Sequence, residues 1–256
     1  MANQVLYLID GHALAYRQFF ALDKKSFSTS AGEPTNAVFG FTRTLLDILE
    51  HEKPKYLAVA FDKGLSGRDE IYGDYKATRD KMPDELELQI PRLYQLVEAF
   101  SIPILVLEGY EADDIIGTTA RQAEEQGLDV HIITGDKDLL QLLTPHVRIQ
   151  LPKRGRRDVV YDLDAFQKEF GLTPRQFIDL KGLMGDSSDN IPGIKGIGEK
   201  TGTRLLQEHG SLEAVFENLD TEKGKLLERL QHGREIALMS RELATIRTDL
   251  PLELDV

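Results

Sequence analysis

The first half of the chain alternates between short apolar runs and longer segments whose apolar residues recur every three or four positions. The runs are rich in strand-forming residues and end in turn residues. The segments between them, residues 36–51, 86–100 and 115–127, have the spacing of one helix face. This alternation predicts an α/β fold with a mainly parallel central sheet. The four predicted strands are residues 5–9, 56–61, 102–107 and 130–134.

The second half of the chain is mainly helical in its pattern. A further strand is predicted at residues 147–151, at an edge of the sheet, and helical spacing dominates beyond Asp158. Helices are expected from a glycine turn as far as Leu206, and then at 212–219 and 225–247, before an extended end at 248–256. We therefore expect an α/β core over residues 1–160 and a helical region over residues 161–256.

Composition narrows the class of protein. The chain has 256 residues, of which 41% are hydrophobic and 29% are charged, and it has no cysteine. Disulfides, thiolate catalysis and sulfur-bound zinc are thereby excluded. The sequence has no apolar run of about 18 residues and no signal-peptide pattern at residues 1–4, so we expect a cytoplasmic location and no membrane.

Carboxylates follow each of the four predicted strands. The carboxyl ends of parallel strands meet at one edge of a sheet, where such folds place their ligand sites. Carboxylates this close repel one another, and a hard divalent cation such as Mg²⁺ would relieve the repulsion. Helix capping explains any one of them, but their recurrence after four strands favours a shared metal pocket. They are Asp10, Asp62, the trio Glu111, Asp113 and Asp114, and the pair Asp136 and Asp138.

Residues 63–82 mix basic and aromatic side chains. At helical spacing, Tyr72, Tyr75, Lys76 and Arg79 would share a face that suits a single nucleic-acid strand. Nearby acidic residues almost cancel this charge. Taken alone, the segment is therefore more typical of a mobile surface loop, which is the alternative interpretation. The basic cluster at 153–157 is typical of a solvated turn.

A second informative stretch, residues 185–201, contains two aspartates and a glycine-rich turn. Asp186 and Asp189 stand three positions apart, and the turn at 193–198 leads into a helix. Backbone N–H groups at such a turn can hold a DNA phosphate without reading a base. The alternative is a helix connection whose glycines serve packing alone, although Lys195 and Lys200 favour DNA.

Taken together, these motifs resemble the 5′ nuclease family of 5′-3′ exonucleases and flap endonucleases, especially the branch that is joined to bacterial DNA polymerase I. The resemblance covers essentially the whole chain. It implies a PIN-like fold, a helical arch at about residues 63–85 that passes a free 5′ end, and a helix-hairpin-helix at about 183–207. The motifs are Leu-Ile-Asp-Gly-His (8–12), Phe-Asp (61–62), Tyr-Lys-Ala-Thr-Arg (75–79), Gly-Tyr-Glu-Ala-Asp-Asp (109–114), Thr-Gly-Asp-Lys-Asp (134–138) and residues 185–201.

The resemblance also implies roles for residues. Two or three Mg²⁺ or Mn²⁺ ions would be held by nine carboxylates, with Lys76 and Arg79 over the scissile phosphate and Asp113 among the catalytic residues. K⁺ would bind the hairpin carbonyls. The implied metal ligands are Asp10, Asp62, Glu111, Asp113, Asp114, Asp136, Asp138, Asp186 and Asp189. The implied DNA contacts are Arg17, Arg68, Tyr72, Tyr75, Lys76, Arg79, Gly193, Lys195, Gly196, Gly198 and Lys200.

The function that the resemblance implies is hydrolysis of DNA at 5′ flaps and 5′ ends during replication and repair, including RNA-primed strands. The enzyme would be a monomer or part of a longer polymerase chain. A net charge of −12 is unusual for a DNA-binding protein, but nine carboxylates in one metal-filled pocket would leave the rest nearly neutral. Two alternatives remain at this stage: a catalytically inactive DNA-junction binder, and a phosphohydrolase that acts on small molecules.

Overall fold

A six-stranded sheet forms the centre of the molecule. The computed structural model describes residues 4–24, 26–152 and 158–255, so the basic cluster at 153–157 lies outside the described residues. The strand order is β3-β2-β1-β4-β5-β6, and all neighbours are parallel except β5 and β6. The strands are β1 Val5–Asp10, β2 Tyr56–Ala60, β3 Ile104–Leu105, β4 Asp129–Ile133, β5 Val147–Leu151 and β6 Val159–Tyr161.

Helices cover both faces of the sheet and form the second half of the chain. A π-helical turn, Ile48–Glu52, extends the second helix, and a 3₁₀ helix, Lys137–Leu142, follows β4. The α-helices are α1 Gly11–Ala21, α2 Asn36–Asp47, α3 Arg68–Ile71, α4 Asp84–Glu87, α5 Ile90–Ala99, α6 Ala112–Glu125, α7 Leu163–Phe170, α8 Pro174–Met184, α9 Glu199–His209, α10 Leu212–Glu217 and α11 Gly224–Ala244.

The prediction of a mainly parallel sheet is confirmed, but the prediction that residues 147–151 form an edge strand is wrong. The strand β6 pairs antiparallel with β5, with Ile149 opposite Tyr161, and so becomes the edge itself. A three-residue strand leaves too short a pattern to be recognised from the sequence. The helix expected at 86–100 is divided into α4 and α5, and only two residues of the third predicted strand join the ladder.

Side chains of the central strands are buried on both faces of the sheet. Leu6 and Leu8 of β1 point into a core formed with α6, whereas Tyr7 and Ile9 point into a core formed with α1, α2 and α5. Burial on both faces explains why the strands read as continuous apolar runs. A third core joins α8 to α11. Phe166 of α7 still packs with the sheet core, and the division at residue 160 stays a prediction.

The segment 63–85 does not form the long helical face that its spacing predicts. It contains the two short helices α3 and α4, joined by successive turns at residues 73–79. Lys76 has φ +57°, a left-handed conformation that is incompatible with a right-handed α-helix. Its N–H donates to the Asp189 carbonyl at 2.9 Å. Contacts with the second half of the chain therefore determine the path of this segment.

The extended C-terminal segment returns along α6. The Gln122 side chain donates to the Leu252 carbonyl at 2.6 Å and accepts from the Leu254 N–H at 2.8 Å. These contacts attach the end of the helical region to the sheet core. In the described part of the chain, no helix is long and apolar enough to cross a membrane.

Two loops cross closely at the carboxyl edge of the sheet. The Lys63 N–H donates to the Tyr110 carbonyl at 2.9 Å, and the Gly109 N–H donates to the Lys63 carbonyl at 2.8 Å. A Cβ on Gly64 would lie 2.2 Å from the Gly109 carbonyl carbon. Only a glycine at position 64 therefore allows the loop after β2 to approach the loop that carries Glu111.

Replacing Gly64 tests this close approach. We expect Gly64→Ala to lower the free energy of unfolding by about 1–3 kcal/mol, because backbone atoms must move apart to admit the methyl group. Gly73→Ala is the matched control, since its Cβ would meet no atom within 4 Å, and its effect should stay below about 1 kcal/mol. Urea unfolding of both variants measures the difference, and equal effects would contradict the proposed crossing.

Candidate metal centre and nucleic-acid interface

A cavity of about 450 Å³ opens at the carboxyl edge of the sheet. It lies where the order of the strands reverses on either side of β1, the usual ligand site of an open α/β sheet. Its ionisable lining residues are Asp10, His12, Tyr16, Asp62, Lys76, Arg79, Glu111, Asp113 and Asp136.

Asp10 and Asp62 are fixed in the cavity by hydrogen bonds from neighbouring elements. Asp10 accepts from the Ala13 N–H at 2.9 Å, which caps α1, and from the Thr134 hydroxyl at 2.8 Å. Asp62 accepts from the Ala112 N–H at 2.8 Å and lies 2.8 Å from His12 Nδ1. The local fold therefore orients these carboxylates before any ligand arrives.

Burial raises the pKa of Asp10 to about 6, and the charges of Asp62 and Asp136 add to the shift. The proton on Asp10 stabilises the metal-free fold at low pH, and this contribution is lost as the pH rises through about 6. Burial also raises the pKa of Asp113, together with the charges of Asp136 and Asp10. Burial opposes ionisation of Asp62 too, but the adjacent His12 ring holds the pKa of Asp62 below its ordinary value.

Glu111 carries an unsatisfied oxygen in the cavity wall. Its Oε2 accepts from Lys76 Nζ at 2.6 Å, whereas its buried Oε1 has no hydrogen-bond partner and lies 3.9 Å from Arg68 Nη1. Burial raises the pKa of Glu111, although Lys76 and Arg68 oppose the shift. Buried polar atoms without a partner are rare because they are costly, so Oε1 is an acceptor available to a cation.

Asp138 and Asp186 lie beside the cavity, with a lysine between them. Lys181, on the last turn of α8, contacts Asp138 Oδ1 and lies 2.5 Å from Asp186 Oδ2. Burial raises the pKa of Asp138 to about 6 despite this lysine, whereas the lysine holds the pKa of Asp186 low against the effect of burial. Lys181 is not among the site residues predicted from the sequence. Its only distinguishing feature there is that a charged residue stands among apolar ones, about one helical turn before Asp186.

Asp189 joins the loop after α8 to the segment 63–85. Its Oδ1 accepts from Arg79 at 2.5 and 3.0 Å, and Lys76 Nζ lies 3.8 Å from its Oδ2. Lys76 and Arg79 therefore line the cavity and are held there by carboxylates, and their place over a phosphate stays a prediction.

Asp114 does not line the cavity, and its role as a metal ligand stays a prediction. Its side chain is fully buried and accepts two bonds from Arg68, at 2.7 and 2.9 Å, and one from the Arg247 N–H at 2.7 Å. Arg68 also donates to the carbonyls of Leu243 and Thr245. All of these acceptors are internal, so Arg68 is buried among protein partners in this structure, and its contact with DNA stays a prediction.

Three other predicted DNA contacts also have internal partners. Arg17 makes a two-pronged ion pair with Asp158, at 2.7 and 2.9 Å, and lines a different cavity. Tyr75 is 6% exposed and packs in a small cluster with the half-buried Tyr72. Stacking on bases needs an open ring face, which Tyr75 does not offer in this structure, and its contact with DNA stays a prediction.

The glycine turn at 193–198 is pinned by two buried isoleucines, Ile194 and Ile197, as its sequence predicts. Gly193 is buried and its N–H donates to the Ser240 hydroxyl at 3.0 Å, so it is not available to a phosphate. The remaining predicted contacts of the turn are exposed in front of α9. They are Lys195, Gly196, Gly198 and Lys200.

The chain matches two adjoining family models. Residues 5–171 match the 5′-3′ exonuclease N-terminal resolvase-like domain, and residues 172–256 match the 5′-3′ exonuclease C-terminal SAM fold.

The similar chains of known function are much longer proteins. DNA polymerase I of Chloroflexus aurantiacus is 51% identical over 260 residues, which cover all of this chain and 28% of that protein. DNA polymerase I of Bacillus subtilis is 48% identical over 98% of this chain and 29% of that protein. The chain thus spans less than a third of the length of these curated relatives.

Solved structures share the fold. The T5 D15 protein co-crystallised with metal ions superposes with a TM-score of 0.80 at 24% identity, over 96% of this chain and 90% of that one. The T5 5′-exonuclease with bound zinc gives 0.78 at 25% identity, over 94% and 89%. The catalytic core of Rad2 in complex with DNA substrate gives 0.61 at 20% identity, over 99% and 84%.

The buried pair of Arg68 and Asp114 makes a testable contribution to stability. We expect Arg68→Met to lower the free energy of unfolding by about 3–5 kcal/mol, because Asp114 would remain buried without its counterion. The control is Arg92→Met, which removes an exposed arginine 3.7 Å from Glu33 and should cost less than about 1 kcal/mol. Thermal unfolding measures both, and a loss for Arg68→Met no larger than that of the control would refute the assignment.

Proposed function

Because this chain belongs to the 5′-3′ exonuclease family, we propose that it is a structure-specific 5′ nuclease that hydrolyses DNA at 5′ flaps and 5′ ends. The observation that carries the proposal is the cavity in which five carboxylates face two cationic side chains. Carboxylates suit divalent cations, and lysine and arginine suit the phosphate of a nucleic acid.

The donor set fits hard divalent cations. All the candidate ligands are carboxylate oxygens, burial and then the neighbouring carboxylates raise the pKa values of Asp10 and Asp113, and Glu111 Oε1 has no hydrogen-bond partner. Two or three Mg²⁺ or Mn²⁺ ions would, when bound, supply an activated water and stabilise charge on the phosphate. One set of ligands comprises Asp10, Asp62, Glu111, Asp113 and Asp136, and the other comprises Asp138, Asp186 and Asp189.

Lys76 and Arg79 would bind and orient the scissile phosphate. Their present partners, Glu111 and Asp189, hold them at the cavity, so little reorganisation is needed when a phosphate arrives. The Arg79 guanidinium can donate two parallel bonds to a phosphate, whereas the Lys76 ammonium contributes a compact charge. The half-buried Asp113 is the catalytic carboxylate of the proposal.

The second half of the chain would hold the duplex. The exposed N–H of Gly198 precedes α9, and Lys195 and Lys200 flank it, an arrangement that suits the phosphates of a DNA backbone. The segment 63–85 would guide the 5′ strand past the cavity. A K⁺ ion on the turn carbonyls remains a prediction, and Arg229 already donates to the Gly196 carbonyl at 2.9 Å.

We place this activity in the removal of flaps and of RNA-primed 5′ ends during replication and repair. The similarity to DNA polymerases I supports a link to a polymerase in a longer chain. A monomeric state and a cytoplasmic location remain predictions.

Cleavage of a 5′-labelled flap duplex tests the proposal. We expect Mg²⁺- or Mn²⁺-dependent cutting next to the junction between single strand and duplex, and none with a chelator. Asp113→Asn should lower the cleavage rate by at least about a hundredfold, because it removes a charged ligand while preserving its shape.

The exposed Glu108→Gln is the matched control, since Glu108 lies in the loop that precedes α6 but outside the cavity, and the variant should keep full activity. Circular dichroism checks that both variants fold. Tight DNA binding without cleavage in either metal would instead identify an inactive junction binder. Turnover of a chromogenic phosphate ester without flap cleavage would identify a small-molecule phosphohydrolase.

A further inference from the structure

Lys181 occupies the centre of the second carboxylate set. Its side chain is 7% exposed, and its ammonium nitrogen contacts both Asp138 and Asp186. Asp138 comes from the 3₁₀ helix after β4, and Asp186 comes from the loop after α8. The lysine therefore joins the sheet core to the helical region through the very oxygens that a cation would need.

The first carboxylate set is different in this respect. Among the described residues, no lysine, arginine or histidine lies within ion-pair distance of Asp10, Asp113 or Asp136, which receive only neutral donors or none. Asp62 lies 2.8 Å from His12, and Glu111 has Lys76 at one oxygen and Arg68 3.9 Å from the other, which accepts no hydrogen bond. The cavity thus has one side open to a divalent cation and another already neutralised by the chain.

An ammonium group and a divalent cation cannot share the same two carboxylates. Their like charges would lie within about 4 Å, and the repulsion is strong where water is largely excluded. The lysine ammonium group can nevertheless move, because it lies at the end of a flexible four-carbon side chain. If the Lys181 ammonium group loses its contact with one carboxylate, it can therefore move away from the other while α8 stays folded.

We infer that Lys181 is a positioning residue that acts as an internal counter-cation and keeps the second metal weakly bound until it is displaced. The inference rests on the proposed function, since it concerns the same carboxylates. It makes the two sets unequal: the first binds a divalent ion in the free protein, whereas the second binds one only after Lys181 leaves Asp138 and Asp186.

Calorimetric titration of the metal-free chain with Mn²⁺, without DNA, tests the inference directly. Lys181→Met retains most of the stem and removes the charge. We expect this variant to bind the second ion at least about tenfold more tightly than the natural protein, with the first affinity unchanged. Lys181→Arg keeps a positive charge and should leave the second ion weakly bound.

Lys137→Met is the matched control for general electrostatics. Lys137 is exposed and adjacent to Asp138, and it makes no ion pair among the described residues. Its removal should change the second affinity by less than about twofold. If Lys181→Met fails to fold, Lys181→Gln provides the same test with a neutral polar side chain.

A second affinity that is unchanged or weaker in the neutral variants would overturn the inference and make Lys181 a structural support for its carboxylates. A gain of equal size in Lys137→Met would overturn it as well. Failure of the proposed function is distinguishable, because it would appear as absence of flap cleavage by the natural protein, whereas failure of this inference appears in the Mn²⁺ affinities of the Lys181 variants.

Discussion

Repulsion among carboxylates at one edge of the sheet is the constraint on which the rest of the structure depends. The strands bring these groups together because parallel strands end at the same edge, and burial makes each charge more costly. The carboxylates differ in how far this repulsion is compensated. Some carboxylates receive a cation from the chain, whereas others remain uncompensated with raised pKa values, as Asp10 and Asp113 do.

The cations that neutralise this edge also hold the molecule together. Arg68 connects the short helix α3 to Asp114 of α6 and to the carbonyls that end α11. Arg79 and the backbone of Lys76 connect the segment 63–85 to Asp189. The positions of the carboxylates, the path of the segment 63–85 and the attachment of the helical region are therefore coupled through ion pairs. A change in the charge of the cavity should therefore alter all three of these features.

Much of the fold and most of the carboxylate cavity follow from the sequence. Apolar runs locate the strands, and their shared direction predicts that Asp10, Asp62 and Glu111 meet. Partners distant along the chain cannot be read in this way. Arg68 lies in a basic, aromatic segment typical of a DNA contact, and only the approach of Asp114 and the end of α11 shows that it faces inward. Lys181 was missed for the same reason, because its acceptors come from the 3₁₀ helix after β4 and from the loop after α8.

The central claim is that the crowded, partly protonated carboxylates of this cavity bind a divalent cation. Titrating the metal-free protein with Mg²⁺ at pH 6, in buffers of different protonation enthalpy, measures the protons released on binding. We expect clear release at pH 6, because the pKa of Asp10 is raised to about 6 and no cation of the chain pairs with it, and less release at pH 8. Binding at pH 6 without proton release, or no binding at all, would contradict it.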